Sequence, residues 1–405
     1  MSTRVHESSR LTRTVSALRR EVPPPLPLDG PPGRPRRLEV FGVGTTWVQV
    51  TWSALGPGPV RFRCGDLDLH VDADGGPGAL VLGGLGSGAA HRIELSGDGL
   101  PEPVPALAAR TLLAPPGELL HRIATVSDAH LGSHGTGFLH TIVEKPERAP
   151  RDAHPTRCLR AALDEARAWG ADELLVKGDL VEQSDRDSWA LAGAVLGGSG
   201  LPVSIVPGNH EWSRGGDGDP VAGLAAHGHR LVTSVEHHDR PGIGLVLVDS
   251  TVPGTDRGRM SELLDAILGA VRSTTSPLLV VMHHQPMQWR IPTYLPVGIP
   301  GPEARHALTE LGRANPRTLV TSGHTHRHRR RHVGPVTVTE VGSTKDFPGT
   351  WAGYEVHEGG IVQTVRRIAE PSCIRWTDHT RRAALGAWQL WAPGRLGDRC
   401  FTRTW

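Results

Sequence analysis

Lysine is almost missing from this chain. Lys145, Lys177 and Lys345 are the only three among 44 basic residues, the rest being arginine. Such a bias is as consistent with coding preference as with function, so it identifies no partner. With 42 acidic residues the formal net charge is only +2, which leaves no global field to attract nucleic acid. Aromatic residues make up 4% of the chain and do not interleave with its arginine cluster, as a single-strand-binding groove would require. Cysteine is scarce too. Cys64, Cys158, Cys373 and Cys400 show no paired spacing, which argues against a disulfide framework and for reduced thiols. No apolar stretch approaches the roughly 20 residues that a spanning helix needs. Arg19-Arg20 is followed by Glu21 and prolines in place of an apolar segment, so no secretory leader is expected. The expected setting is soluble and cytoplasmic.

What is abundant is histidine, at 22 residues, within a chain of 405 whose 38% apolar content supports real cores. That length implies about two domains. Residues 1–37 are basic and then proline-rich, and read as a disordered leader. Over 38–114 the pattern alternates: Val48, Val50 and Trp52 with Trp47, Gln49 and Thr51, then Val60, Phe62 and Cys64 with Arg61 and Arg63. About seven short strands at this spacing predict an antiparallel β-sandwich. It carries no visible chemistry, and a protein partner is one use for it. Residues 120–370 alternate strands with helices, as layered α/β architecture does. The clearest helix is expected over 156–169, with others near 187–197, 258–272 and 303–313. Residues 371–405 contain Trp376, Trp388, Trp391 and Trp405, too aromatic for a free tail, and are expected to pack on the body.

Five polar clusters stand out in the second region: Asp128-Ala129-His130, Gly178-Asp179-Leu180-Val181-Glu182, Gly208-Asn209-His210-Glu211, His283-His284 and Gly323-His324-Thr325-His326. Their side chains are oxygen and imidazole donors of the kind that hold Mn, Fe or Zn. Each follows a short apolar run that reads as a buried strand, such as Ile123–Val126 or Leu278–Val281. Loops at the carboxyl ends of parallel strands converge in space, so the clusters are expected to form one site. Two cations about 3.5–4 Å apart need a bridging anion, and Asp179 is the natural candidate. An extended Gly-His-Thr-His loop would put His324 and His326 on one face.

In this order the clusters resemble the signature of the calcineurin-like metallophosphoesterases, over roughly residues 120–345. The resemblance implies an α/β fold, a four-layer α/β/β/α metallophosphoesterase sandwich, here with a smaller N-terminal all-β (fibronectin III-like) domain. It implies two metal ions: one held by Asp128, His130 and His326, the other by Asn209, His283 and His324, with Asp179 between them. His283 directly follows its strand, which favours it over His284. His210 matches the histidine that faces substrate and assists the leaving group. The implied reaction is hydrolysis of a phosphodiester or phosphomonoester by in-line attack of a metal-bridging hydroxide. Glu182 and Glu211 read either as carboxylates orienting histidines or as surface groups. Purple acid phosphatases also resemble this chain in having an N-terminal β-sandwich. They carry a tyrosine ligand where this chain has Glu182, so the cyclic-nucleotide phosphodiesterase branch is the nearer likeness.

Three residues are candidates for contact with substrate: Arg327 as a phosphate clamp beside His326 or a solvated rim residue, Trp351 as a stacking surface or a packing residue, and His284 lining the mouth of the site or packing beneath it. The long polar segment Leu131–Thr156 reads as a lid or as a surface insertion. A small soluble phosphoester is the expected substrate. The competing reading is a non-catalytic scaffold on the same fold, although such scaffolds usually lose donors and this chain retains the full set.

Overall fold

The computed structural model describes residues 37–100, 104–136, 142–144, 150–212, 218–289 and 296–405. The expected leader lies outside these residues except for Arg37, as do Gly137 and His140 of the long polar segment.

Period-two alternation builds the N-terminal strands β1 (Glu39–Val43), β2 (Trp47–Trp52), β3 (Gly58–Cys64), β4 (Leu67–Ala73), β5 (Gly78–Gly83), β6 (Ala90–Ser96) and β7 (Leu107–Arg110). β1, β2 and β5 form one antiparallel sheet, and β4, β3, β6 and β7 another. Val48, Val50, Trp52, Val60, Phe62, Leu82 and Ile93 make the buried core between them. The alternation in β2 reads as one buried and one open face, yet all six of its residues are buried. The second face packs on the rest of the molecule: Trp47 lies under the Arg366 guanidinium, 4.1 Å from it, and Gln49 bonds the backbone of Arg367.

The body follows as β8 (Leu119–Val126), a short hairpin of β9 (Gly135–Thr136) and β10 (Ile142–Val143), α1 (His154–Trp169), β11 (Glu173–Lys177), α2 (Arg186–Gly197), β12 (Val203–Val206), α3 (Pro220–Ala225), β13 (Val235–Arg240), β14 (Ile243–Val248), α4 (Leu264–Arg272), β15 (Leu278–Val281), α5 (Gly301–Ala314), β16 (Thr318–Ser322), β17 (Arg329–Val333), β18 (Val336–Glu340), β19 (Thr350–His357) and β20 (Gly360–Arg367). After it come α6 (Pro371–Thr380), α7 (Trp388–Trp391), α8 (Leu396–Arg399) and β21 (Phe401–Thr404). The helix expected from residue 258 starts only at Leu264, because a 3-10 turn over Ser261–Leu263 precedes it.

Two six-stranded sheets result, ordered β12-β11-β8-β19-β20-β21 and β13-β14-β15-β16-β18-β17. β8, β11 and β12 run parallel, as do β14, β15, β16 and β18; the remaining strands pair antiparallel. The parallel strands are covered on both faces, which is why they read as continuous apolar runs. Ile123, Leu175 and Val206 of one sheet meet Leu245, Leu279, Val281 and Leu319 of the other. Leu159, Leu163, Ala166, Val195 and Leu196 of α1 and α2 cover the outer face of the first sheet. Ile267, Val271, Leu308 and Leu311 of α4 and α5 cover that of the second. The layers are therefore α/β/β/α, with the all-β domain against one side.

Residues 371–405 are stitched into this body. β21 pairs with β20 as an outer strand, Trp376 stacks on His154 at 4.0 Å, and Trp388 Nε1 donates to Phe347 O at 3.0 Å. Arg399 Nε also donates to Phe41 O at 2.9 Å, so this extension holds the all-β domain as well. The four cysteines are free and buried. No helix among the described residues is long and apolar enough to cross a membrane.

Candidate metal centre

The five polar clusters lie just after β8, β11, β12, β15 and β16. Because those strands are parallel within each sheet, their carboxyl ends share one edge, and the loops meet there. Hydrogen bonds fasten loop to loop. His130 N donates to Asp179 O at 2.9 Å, and Asp128 N to Gly178 O at 3.1 Å. Within the second sheet Gly323 N donates to His283 O at 2.9 Å, and across the two sheets His324 N donates to Asp128 Oδ1 at 3.0 Å.

The local backbone is unusual. Asp128, His130, Asp179, His324 and His326 all have positive φ, between 49° and 67°. Side chains adopt this left-handed region only at a cost. The Gly-His-Thr-His loop is therefore not extended, contrary to expectation. His324 turns toward His283 and His326 toward His130, and both still reach the shared cavity. Glycine is required beside them for closeness. A Cβ on Gly208 would collide with the Asp179 carboxylate, and one on Gly323 with Ser127 and Asp128.

The imidazoles face one another in pairs. His130 Nε2 lies 3.3 Å from His326 Nε2, and His283 Nε2 lies 3.0 Å from His324 Nδ1. The opposite nitrogen of each ring meets an acceptor. His326 Nδ1 is 2.7 Å from Asp346 Oδ2, His283 Nδ1 is 2.7 Å from Lys177 O, and His324 Nε2 is 3.3 Å from Val297 O. His130 Nδ1 is 2.9 Å from Glu182 Oε2. A nitrogen against a carbonyl or carboxylate carries the proton, so each facing nitrogen presents a lone pair when its ring is neutral. Two lone pairs at about 3 Å repel unless a cation stands between them. Asp179 lies between the two pairs, with Oδ2 3.7 Å from His130 Nε2 and 3.3 Å from His283 Nε2. Asp128 Oδ1 is 3.4 Å from His326 Nε2.

Charge within each pair is split. Against the effect of burial, Asp128 and Asp346 lift His326 to about 10, while burial and His210 lower His130. Against burial, Asp179 and Asp128 lift His283 to about 9, while burial and His283 itself lower His324 to about 3. Despite burial, His326 and His283 hold Asp128 to about 2, and His283, His210 and His130 hold Asp179 well below the usual carboxylate range.

These residues fit a metal. Asp128, His130 and His326 place donor atoms within 4.8 Å of one another, as do Asp128, Asp179 and His283. Asn209 is buried, and its Oδ1 has no hydrogen-bond partner, an orphaned acceptor that a cation would satisfy. His283 and His284 both belong to a donor group with His324, but only His283 is also grouped with Asp179.

His210 Nδ1 lies 2.8 Å from Glu182 O, and its backbone N–H donates to Asp179 Oδ1 at 3.0 Å. Burial opposes protonation of this ring, yet Asp179 and Glu182 raise it above the ordinary histidine value. Glu211 is no surface group. It is 1% exposed and accepts from the backbone N–H groups of Asp179, Leu180, Val181 and Gly208 at 2.8, 2.9, 3.3 and 2.6 Å. It thereby locks the loop bearing Asp179 against the one bearing Asn209.

All three substrate candidates are buried. Trp351 is fully buried, packs beside Trp169 and donates from Nε1 to Glu165 Oε2 at 2.8 Å, so it has no face for a ligand. Arg327 is buried, pairs with Glu340 at 3.0 Å and lies over the Trp391 ring; its charge is directed into the fold. His284 is fully buried, with Nδ1 3.0 Å from Ser250 Oγ, beneath the cavity. Sequence reasoning missed Asp346, which grips His326. A single aspartate in a loop gives no periodic or motif signal. Lys177 was missed as well: fully buried, with Nζ 3.2 Å from Thr321 Oγ1, it is lowered to about 7 by burial although Asp128 opposes this.

Several known proteins resemble this chain over the α/β region. The family model for calcineurin-like phosphoesterases matches residues 121–328. A probable cyclic nucleotide phosphodiesterase of Synechococcus sp. is 25% identical over 251 residues, covering 59% of this chain and 90% of that protein. Another, of Psychrobacter arcticus, is 24% identical over 261 residues, covering 60% and 85%. Among solved structures, a dimetal phosphatase from Danio rerio superposes with a TM-score of 0.46 at 14% identity, covering 62% of this chain and 97% of that one.

Proposed function

The chain belongs to the calcineurin-like phosphoesterase family, and on that premise we propose that it is a two-metal phosphodiesterase acting on a small phosphodiester. It is a phosphoric ester hydrolase. Asp128, His130 and His326 would hold one ion, and Asn209, His283 and His324 the other, with Asp179 shared. The observation that carries this is the pair of facing imidazole couples on either side of one carboxylate, with His326, His283 and His324 each held from behind by an acceptor. Two divalent ions there supply Lewis acidity toward the phosphoryl oxygens and a water acidic enough to react near neutral pH.

The protein's own groups do the rest. His210 keeps its Nδ1 proton on the Glu182 carbonyl and turns the other edge of its ring to the substrate. With Nδ1 held by that carbonyl, the opposite ring nitrogen is placed to deliver a proton to the departing ester oxygen. Glu211 keeps the Asp179 and Asn209 loops in register, which fixes the attack direction. A diester leaves one negative charge for such a centre to meet, and the two curated relatives are named as probable cyclic nucleotide phosphodiesterases. The long segment after His130 contributes a short hairpin beside the site.

The test is a panel of bis(p-nitrophenyl) phosphate, 3′,5′-cyclic AMP and p-nitrophenyl phosphate, each with and without Mn²⁺. Diesters should turn over in a metal-dependent manner and faster than the monoester. His210→Ala should keep its metal and lose about 10²–10⁴ in kcat. Asp179→Asn should lose both metal and turnover; full metal-dependent rate in that variant refutes the assignment.

A further inference from the structure

The loop 343–348 abuts one half of the centre and has no task in the reading above. Asp346 is fully buried, with Oδ2 2.7 Å from His326 Nδ1. Lys345 is also buried; its Nζ lies 3.1 and 3.2 Å from the two Asp346 oxygens. The same ammonium donates to Gly135 O at 3.1 Å, on the β9–β10 hairpin that follows His130. Ser343 Oγ donates to Asp128 O at 2.7 Å and accepts from Lys345 N at 3.1 Å. The other half of the centre is braced elsewhere, His283 by Lys177 O and His324 by Val297 O.

A carboxylate on Nδ1 fixes both the proton and the ring plane of His326, and leaves Nε2 aimed at the cavity. That carboxylate carries a buried charge, which would be costly alone; Lys345 offsets it. Lys345 has a further bond to spend on Gly135, so the cation that steadies Asp346 also holds the hairpin down. We propose that Asp346 and Lys345 are positioning residues for the ion on the Asp128–His130–His326 side, and that Lys345 couples that ion to the β9–β10 hairpin. This rests on the two-metal reading and adds an asymmetry to it: the two ions depend on different scaffolds.

The experiment titrates metal-free protein with Mn²⁺ alone, by calorimetry and by electron paramagnetic resonance, in the parent and in Asp346→Ala, Asp346→Asn and Lys345→Met. The parent should bind two ions per chain and show the signal of a coupled pair. Asp346→Ala should keep one ion at parental affinity, weaken the other by about 10–100-fold and replace the coupled signal by that of an isolated ion. Asp346→Asn keeps an acceptor for Nδ1 and should fall between. Lys345→Met should weaken the same ion and speed amide exchange over residues 131–136 in metal-loaded protein. Two ions at parental affinity in both Asp346→Ala and Lys345→Met overturn the proposal. So does equal weakening of both ions together with a lowered melting temperature, the mark of a merely structural role. If Asp346→Ala does not fold, Lys345→Met decides by the same readouts. A parent that binds no coupled pair would instead overturn the two-metal reading itself.

Discussion

Gln49 stands where a further strand of the first large sheet would be. Its Nε2 donates to Arg367 O at 2.8 Å, and its Oε1 accepts from Arg367 N at 2.9 Å. A single side chain thus satisfies both backbone groups of one residue across the joint between the all-β domain and the body. It is 1% exposed, so no water can substitute for it. Gln49→Leu keeps the bulk and removes both bonds. A buried backbone group left without a partner costs about 1–3 kcal/mol, so the pair costs about 4 kcal/mol. At about 2–4 °C per kcal/mol for a cooperative unit of 150–250 residues, the melting temperature should fall by on the order of 10 °C. Scanning calorimetry on metal-loaded protein is the assay. The all-β domain should also lose cooperativity with the body, and the single endotherm should split. Leu385→Ser, at a side chain that is 107% exposed, is the control that should change nothing. A Gln49→Leu endotherm that stays single and within about 2 °C of the parent refutes the reasoning.

Three further outcomes are expected. Burial pushes Glu165 up to about 7, although Trp351 and Ala369 N–H groups donate to it; since this lies above the unfolded value of 4.5, its stabilising share is complete below pH 4.5 and lost as pH rises through 7. Glu165→Gln should therefore flatten the melting profile between pH 4.5 and 8 by about 3 kcal/mol, and parallel profiles would exclude the effect. Stripping metal with EDTA from protein held at about 1,000 times the dissociation constant should remove about 4 kcal/mol, read as a lower melting temperature that Mn²⁺ restores; an unmoved midpoint would contradict metal binding to the folded state. Trp351→Ala should cost about 3–5 kcal/mol of stability and leave KM for a diester within about twofold, whereas a tenfold rise in KM would return Trp351 to the substrate.

The parallel strands were legible because they are buried on both faces. Leu278–Val281 and Leu319-Val320 are continuous apolar runs, and the donors that follow them stand where strand ends must meet. Three of the four helices expected from sequence, α1, α2 and α5, begin and end within a few residues of expectation and α4 begins six residues late, while α3, α6, α7 and α8 were not expected. What the sequence concealed was any partnership made by tertiary packing. Gln49 looks like an outward polar residue of an alternating strand, because nothing local reveals that a second domain covers that face. Trp351 and Arg327 adjoin the site in the chain, but β19 buries the one and Glu340 captures the other. Glu211 follows His210 in a motif and could have been a surface carboxylate; its four backbone donors come from loops some 30 residues earlier or immediately before it. Asp346 escaped for the same reason: its partner His326 is 20 residues away and meets it only once β17 and β18 have turned back.

The strained backbone supplies a separate argument about what the centre is for. Among the described residues, the non-glycine positions with positive φ are Arg37, Ala384, Leu385 and the five donors Asp128, His130, Asp179, His324 and His326. Each costs about 1–2 kcal/mol, so the five together store roughly 5–10 kcal/mol, comparable with the whole net stability of a domain. Away from the centre, left-handed backbone among the described residues falls on glycine at all but Arg37, Ala384 and Leu385, as at Gly170 after α1 or Gly334 between β17 and β18. At the centre, glycine serves beside the donors but never in their place, because it has no atom to offer a ligand. Such strain persists only where the surroundings over-determine it, and here they do. Gly178 O, Asp179 O and Glu211 hold the loops from behind, while Gly208 and Gly323 let the Asp179 and Asp128 carboxylates close in. Strain, facing imidazole nitrogens and an orphaned amide oxygen all concentrate on one cavity, whereas the surrounding strands and helices obey local rules. A fold that tolerates all three at one place is shaped by what binds there.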